Sequence, residues 1–96
     1  MTQKFKTVAE LLEDPKRWIK EDWSRNKKDR PVLPLSRNAI CWCLEGAIFK
    51  VYRNHKIRCE IVDKIELFIN TSIPEWNDAP QRTHKQVLAL CKKLDI

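Results

Sequence analysis

One stretch, residues 36–53 (SRNAICWCLEGAIFKVYR), limits what this chain can fold into. It is the most apolar run, and it holds two of the four Cys and the one Gly. At 100° per residue, Ile40, Cys41, Cys43, Leu44, Ala47, Ile48, Val51 and Tyr52 fill about half of a helical wheel. Trp42 and Phe49 fall on the other side, beside Asn38, Glu45, Gly46 and Arg53. A helix with aromatic residues on both sides either lies at the centre of a small bundle or presents a binding strip. The spacing predicts one helix here, N-capped by Ser36 and ended near Asn54 and His55. Gly46 within it costs about 1 kcal/mol against Ala, so a neighbouring backbone or ring should approach closely, with Trp76 the expected filler.

The single Gly argues against a turn-rich β-sandwich and rules out a glycine-rich nucleotide loop. Ninety-six residues make one domain, residues 1–96, large enough to bury a core without staples. No apolar run reaches the ~18 residues of a membrane span, and the first residues lack the apolar segment of a signal peptide. Cytoplasmic residence is the expectation. The net charge of +6 is spread thinly along the chain, which assists encounter with an acidic partner without identifying one. Cys41 and Cys43 would stand about 200° apart on a helix, so they cannot share a metal or a disulfide. Reduced, largely buried thiols and no metal or cofactor are expected.

The remaining pattern predicts helices with one interruption. Thr7 with Glu10 forms a capping box, and Val8, Leu11, Leu12, Trp18 and Ile19 follow at helical spacing. Asp14-Pro15 predicts a kink or a restart, so a first helix over residues 7–20 comes in one piece or two. Residues 21–35 change character: Trp23, Val32 and Leu33 flank a polar centre with two Pro, which reads as a short β-hairpin or an ordered loop. Ile57, Ile61, Val62, Ile65, Phe68 and Ile69 make a regular stripe, predicting a packing helix over residues 56–70 with a Glu60–Lys64 pair. Ser72 with Glu75 opens at most one turn, and Thr83 with Gln86 starts a last helix through Leu94. Lys92 and Lys93 suit its C-terminal end. The fold class is therefore mainly α, a compact bundle of about four helices with one irregular or hairpin excursion.

Two features exceed what packing needs. One is the strip Trp42, Glu45, Gly46 and Phe49; the other is Trp76-Asn77-Asp78. Glu45 and Asp78 with Asn77 and His84 resemble an acid/base set, while the plainer reading makes Trp76 a core plug and Asn77 and Asp78 turn caps. The tip Arg25, Asn26, Lys27, Lys28, Asp29 and Arg30 is the most basic local patch, with Lys16, Arg17 and Lys20 as neighbours in sequence. No hydrolase, zincin or EF-hand motif occurs, and residues 40–70 carry too few basic and amide residues for a recognition helix.

Ala39-Ile40-Cys41-Trp42-Cys43 with Gly46-Ala47, then Trp76-Asn77-Asp78, Thr83 and Val87-Leu88, resemble a family of small uncharacterised bacterial and phage proteins. That family has a W-C-x-x-G-A helix, a later W-N-D and a T-x-x-x-V-L. Trp18 and the Arg25-Asn26 to Pro31-Val32 segment match its early portion, and Lys28-Asp29-Arg30 departs from the Gly usual in its turn. The resemblance implies a compact domain of bacterial or viral origin and brings no activity with it.

The leading expectation is a non-enzymatic binding protein acting on a host protein through Trp42, Glu45, Phe49, Trp76, Asn77 and Asp78. The second is nucleic-acid binding through Arg25, Lys27, Lys28 and Arg30. The third is a small-molecule site or weak hydrolase around Glu45 and Asp78. Monomer and homodimer stay open.

Overall fold

A computed structural model describes residues 5–96. In order come α1 (Val8–Leu11), a 3-10 turn (Pro15–Arg17), β1 (Ser24–Asn26), β2 (Ala39–Trp42), α2 (Leu44–Val51), α3 (His55–Ile69), α4 (Ile73–Asp78) and α5 (His84–Leu94). The molecule measures 34 × 30 × 18 Å, the thickness of two layers of secondary structure. It is mainly helical with a small antiparallel ribbon. No described helix is long and apolar enough to cross a membrane.

The caps are local and follow the sequence. Thr7 accepts from the Glu10 amide, while the Glu10 carboxylate reaches the Lys6 amide. Asp14 caps the 3-10 turn with Pro15 at its first position, so the first segment comes in two pieces. Thr83 and Gln86 form a complete capping box at α5. Asn54 does not end the preceding helix; it caps α3 by accepting from the Ile57 amide. Ser72 opens six helical residues, more than the one turn expected.

The continuous helix expected over residues 36–53 is corrected by the structure. Its first part is β2, which pairs with β1 in the register Ser24↔Trp42, Arg25↔Cys41 and Asn26↔Ala39. Trp42 also bridges to Trp18, and the Ile19 amide donates to the Trp42 carbonyl. A segment paired on both edges leaves its N–H and C=O groups no reason to turn helical. The helix begins only at Leu44, with the Cys43 thiol, not Ser36, accepting from the Gly46 amide at 3.3 Å.

Gly46 is needed, and its neighbour is not Trp76. The Trp23 carbonyl accepts from the Cys43 amide and would lie 2.0 Å from a Cβ on residue 46. The chain entering β1 therefore crosses the first turn of α2 at a distance only a glycine permits. The excursion expected within residues 21–35 forms a short hairpin: a tight turn closes between Asn26 and Arg30, Arg25 bridges Pro31, and the Val32 amide donates to the Ser24 carbonyl. On its other edge β1 pairs with β2. Leu33 is 71% exposed and anchors nothing; Pro34 is buried and accepts from the Trp42 indole at 3.0 Å.

The core joins Val8, Leu11 and Leu12 to Leu44, Ala47 and Ile48 of α2, Ile73 of α4, and Val87, Leu90 and Cys91 of α5. From α3 only Ile65 is fully buried. Lys64 makes no ion pair with Glu60 and donates instead to the Leu94 carbonyl at 2.6 Å, tying α3 to the end of α5. Among the described residues both ion pairs involve Arg25. Six other cations lie over rings: Arg17 on Phe5, Lys20 on Trp18, Lys50 on Trp42, Arg58 on Phe49, Arg82 on Trp76 and Lys93 on Phe68.

Candidate functional site

Asn77 is fully buried and all its bonding capacity is used. Its Oδ1 accepts from the Trp18 indole at 2.7 Å and from the Leu44 amide at 3.1 Å. Its Nδ2 donates to the Ile19 carbonyl at 3.1 Å and to Asp78 at 2.9 Å. The Leu44 amide is one of the first-turn donors that a helix cannot satisfy for itself. Asp78 in turn accepts from the amide of Glu21, which sits at φ 76°. The Trp76-Asn77-Asp78 motif is thus the point where three distant stretches are stitched together. His84 is occupied too, its Nε2 2.5 Å from the Leu12 carbonyl, so that nitrogen carries the proton.

Asn77, Asp78 and His84 Nε2 are thus engaged in hydrogen bonds of the frame, whereas an acid/base set needs such groups free. Trp42 is buried in the core and Trp76 is half-buried with the Arg82 guanidinium 3.9 Å above its ring. Of the expected aromatic strip, Glu45 and Phe49 face accessible space.

What they face is a groove between α2 and α3 of about 170 Å³. The 15 residues of α3 run about 22 Å, whereas the eight of α2 cover about 12 Å, and the groove lies where α2 runs beside the first turns of α3. Ile57 and Phe68 of the α3 stripe are exposed without lining it. Ile48, Phe49 and Val62 give the groove its apolar surface, while Glu45, His55, Arg58, Cys59 and Asp63 supply its polar groups.

The aromatic wall is a stack. Trp23, 48% exposed, lies on Phe49 with centroids 5.5 Å apart and planes 18° from parallel. The Arg58 guanidinium is 4.6 Å from the Phe49 centroid and donates to the carbonyls of Tyr52 and Arg53 at the end of α2. That contact fixes the cation and complements the helix terminus. Burial pushes the Glu45 carboxyl above its ordinary value; the charge of Glu66 adds to this and Trp23 opposes it.

Cys59 is the exposed thiol among four free cysteines, with Sγ 3.6 Å from His55 Nε2. Burial raises the Cys43 thiol to about 11 and the Cys91 thiol to about 12, leaving both inert. His55, Arg58, Cys59, Val62 and Asp63 were missed by reading α3 as a packing helix. Val62 stands on the predicted stripe, while the other four lie off it and carried no signal in the sequence.

The basic tip has a different organisation. Arg25 is held between Asp22 at 2.6 Å and Asp29 at 3.5 Å. Lys20 donates to the Ala79 carbonyl, and Arg17 lies on Phe5 and donates to the Leu11 carbonyl. Lys27, Lys28 and Arg30 are exposed.

Among curated proteins and solved structures, nothing matches the chain. A family match does cover residues 1–94, nearly the whole sequence. The chain belongs to the Family of unknown function (DUF6197).

Proposed function

We propose that the chain is a non-enzymatic binding module, of the bacterial or phage origin the sequence resemblance implies, that docks on a host protein through the α2–α3 groove. The observation that carries this reading is the Trp23–Phe49–Arg58 stack standing beside an open apolar groove. Aromatic and Arg side chains around a desolvated pocket are what protein interfaces concentrate at their centres. The partner's chemistry follows from the groove. An apolar side chain fills the space between Ile48, Phe49 and Val62. A cationic side chain, Lys or Arg, meets Glu45 and Asp63, carboxylates with no ion pair among the described residues. Half-buried Glu45 is the natural receptor for that cation, because pairing offsets its desolvation.

The test compares proteins retained from a bacterial lysate by wild type, Cys59→Trp, Glu45→Lys and Lys85→Ala baits, each checked by circular dichroism. Cys59→Trp plugs the groove from an exposed position, and Glu45→Lys reverses its charge. The expected result is a partner retained by wild type and Lys85→Ala and reduced at least tenfold by both groove variants, the scale of a lost hot spot. Retention indifferent to both substitutions, or no specific retention, sinks the reading.

A further inference from the structure

The turn leaving β1 shares no lining residue with the groove and has its own chemistry. Its backbone is fixed by four hydrogen bonds. The Asn26 amide donates to the Arg30 carbonyl, and the Asp29 amide donates to the Asn26 carbonyl. Asn26 Oδ1 accepts from the amides of Lys28 and Arg30 at 2.9 and 3.0 Å. Asp29 takes the left-handed conformation, φ 62°, that the reversal requires. Cationic side chains are therefore presented from an ordered frame, which lowers the entropy lost when they engage a ligand.

The local carboxylates do not neutralise them. Asp22 and Asp29 are both turned onto Arg25, whose carbonyl also accepts from the Cys41 thiol. Arg25 thus acts as a strut inside the hairpin. Lys27, Lys28 and Arg30 have no carboxylate within ion-pair distance among the described residues. Together with Asn26 and Asn38 they line a concavity of about 390 Å³, room for about a dozen waters. Three cations and two amides, with no apolar residue among them, suit a ligand with several anionic oxygens.

We propose that this concavity binds the phosphodiester backbone of double-stranded nucleic acid without reading its sequence. No aromatic side chain lines it, so single-stranded bases have no ring to stack on. Duplex phosphates supply the higher charge density, and contacts to them carry no sequence information. The net charge of +6 assists the encounter.

The test is fluorescence anisotropy with a labelled 20-base-pair DNA duplex of arbitrary sequence, titrated at several NaCl concentrations, with the single strand of equal length alongside. Three phosphate contacts give a slope of log K against log salt of about −2.7, a loss of about 40-fold between 50 and 200 mM. Replacing Lys27, Lys28 and Arg30 together by Ala should flatten that slope and lower affinity at 50 mM at least tenfold. The charge-matched replacement of Lys85, Lys92 and Lys93 should change it less than twofold. Those six side chains are exposed, and the turn is held by Asn26 and backbone amides that neither variant alters. Equal losses in the two variants, or no binding by wild type at 50 mM, overturn the proposal. Tighter binding of the single strand than of the duplex overturns it as well.

Discussion

Asn77 and the α2–α3 groove make opposite use of the same resources. Around Asn77 polar atoms are buried and every one is partnered; no described buried side-chain polar atom lacks a partner. Along the groove apolar surface is left open: Phe49 and Val62 are only half-buried, beside a Trp23 that is 48% exposed. The motif that looked chemical is architectural, and the helix that looked architectural carries the open surface. The comparison teaches where to look in a small domain. Saturated polar groups hold the frame, and unsaturated apolar area marks what the frame presents.

The sharpest way to break this contrast is Asn77→Ala. It strands the Trp18 indole, the Leu44 amide and the Ile19 carbonyl, and should destabilise the fold by about 3–5 kcal/mol in urea titrations. A loss below about 1 kcal/mol would mean water or neighbours replace the side chain, and the motif would lose its structural role. Gly46→Ala comes next. Helix propensity alone gives a gain of about 1 kcal/mol, but the new Cβ meets the Trp23 carbonyl and forces β1 away from α2. A net loss of about 2 kcal/mol is expected from the same denaturation curves, and a net gain would show that the crossing is loose.

The smallest effect sharpens the groove side. Because burial raises the Glu45 pKa, the folded state holds its proton more tightly than the unfolded state. Glu45 therefore weakens the fold when ionised, and that weakening disappears as pH falls through the raised value to below the ordinary 4.5. Glu45→Gln should be slightly more stable than wild type at pH 7 by thermal melting and indistinguishable below pH 4.5. Lower stability at pH 7 would place a stabilising cation on Glu45 and remove the vacancy proposed for a partner.

Much of the frame was legible because its signals are local. Thr7, Asp14-Pro15 and Thr83-Gln86 act within four residues, and the stripe of α3 needs only helical spacing. Ile40 to Cys43 could not be read that way. Counting Ile40 on a helical face places inside a side chain that is 51% exposed, because the strand is imposed by Ser24–Asn26, some sixteen residues away. Gly46 announced a close approach but not the Trp23 carbonyl that makes it. For the site, Glu45 and Phe49 stood out by type. Arg58 and Cys59 did not, since their meaning depends on Glu45 and Phe49 of α2 lying opposite them.

The six cations resting on ring faces have a consequence for how the domain meets its surroundings. Contacts with a ring's fixed quadrupole at 3.9–6.0 Å lie well inside the ~10 Å Debye length of 0.1 M salt and are little screened. Mutual repulsion among the surplus positive charges acts over longer distances and is damped. Brine should therefore relieve this protein without unfastening it, so that moderate ionic strength firms the fold.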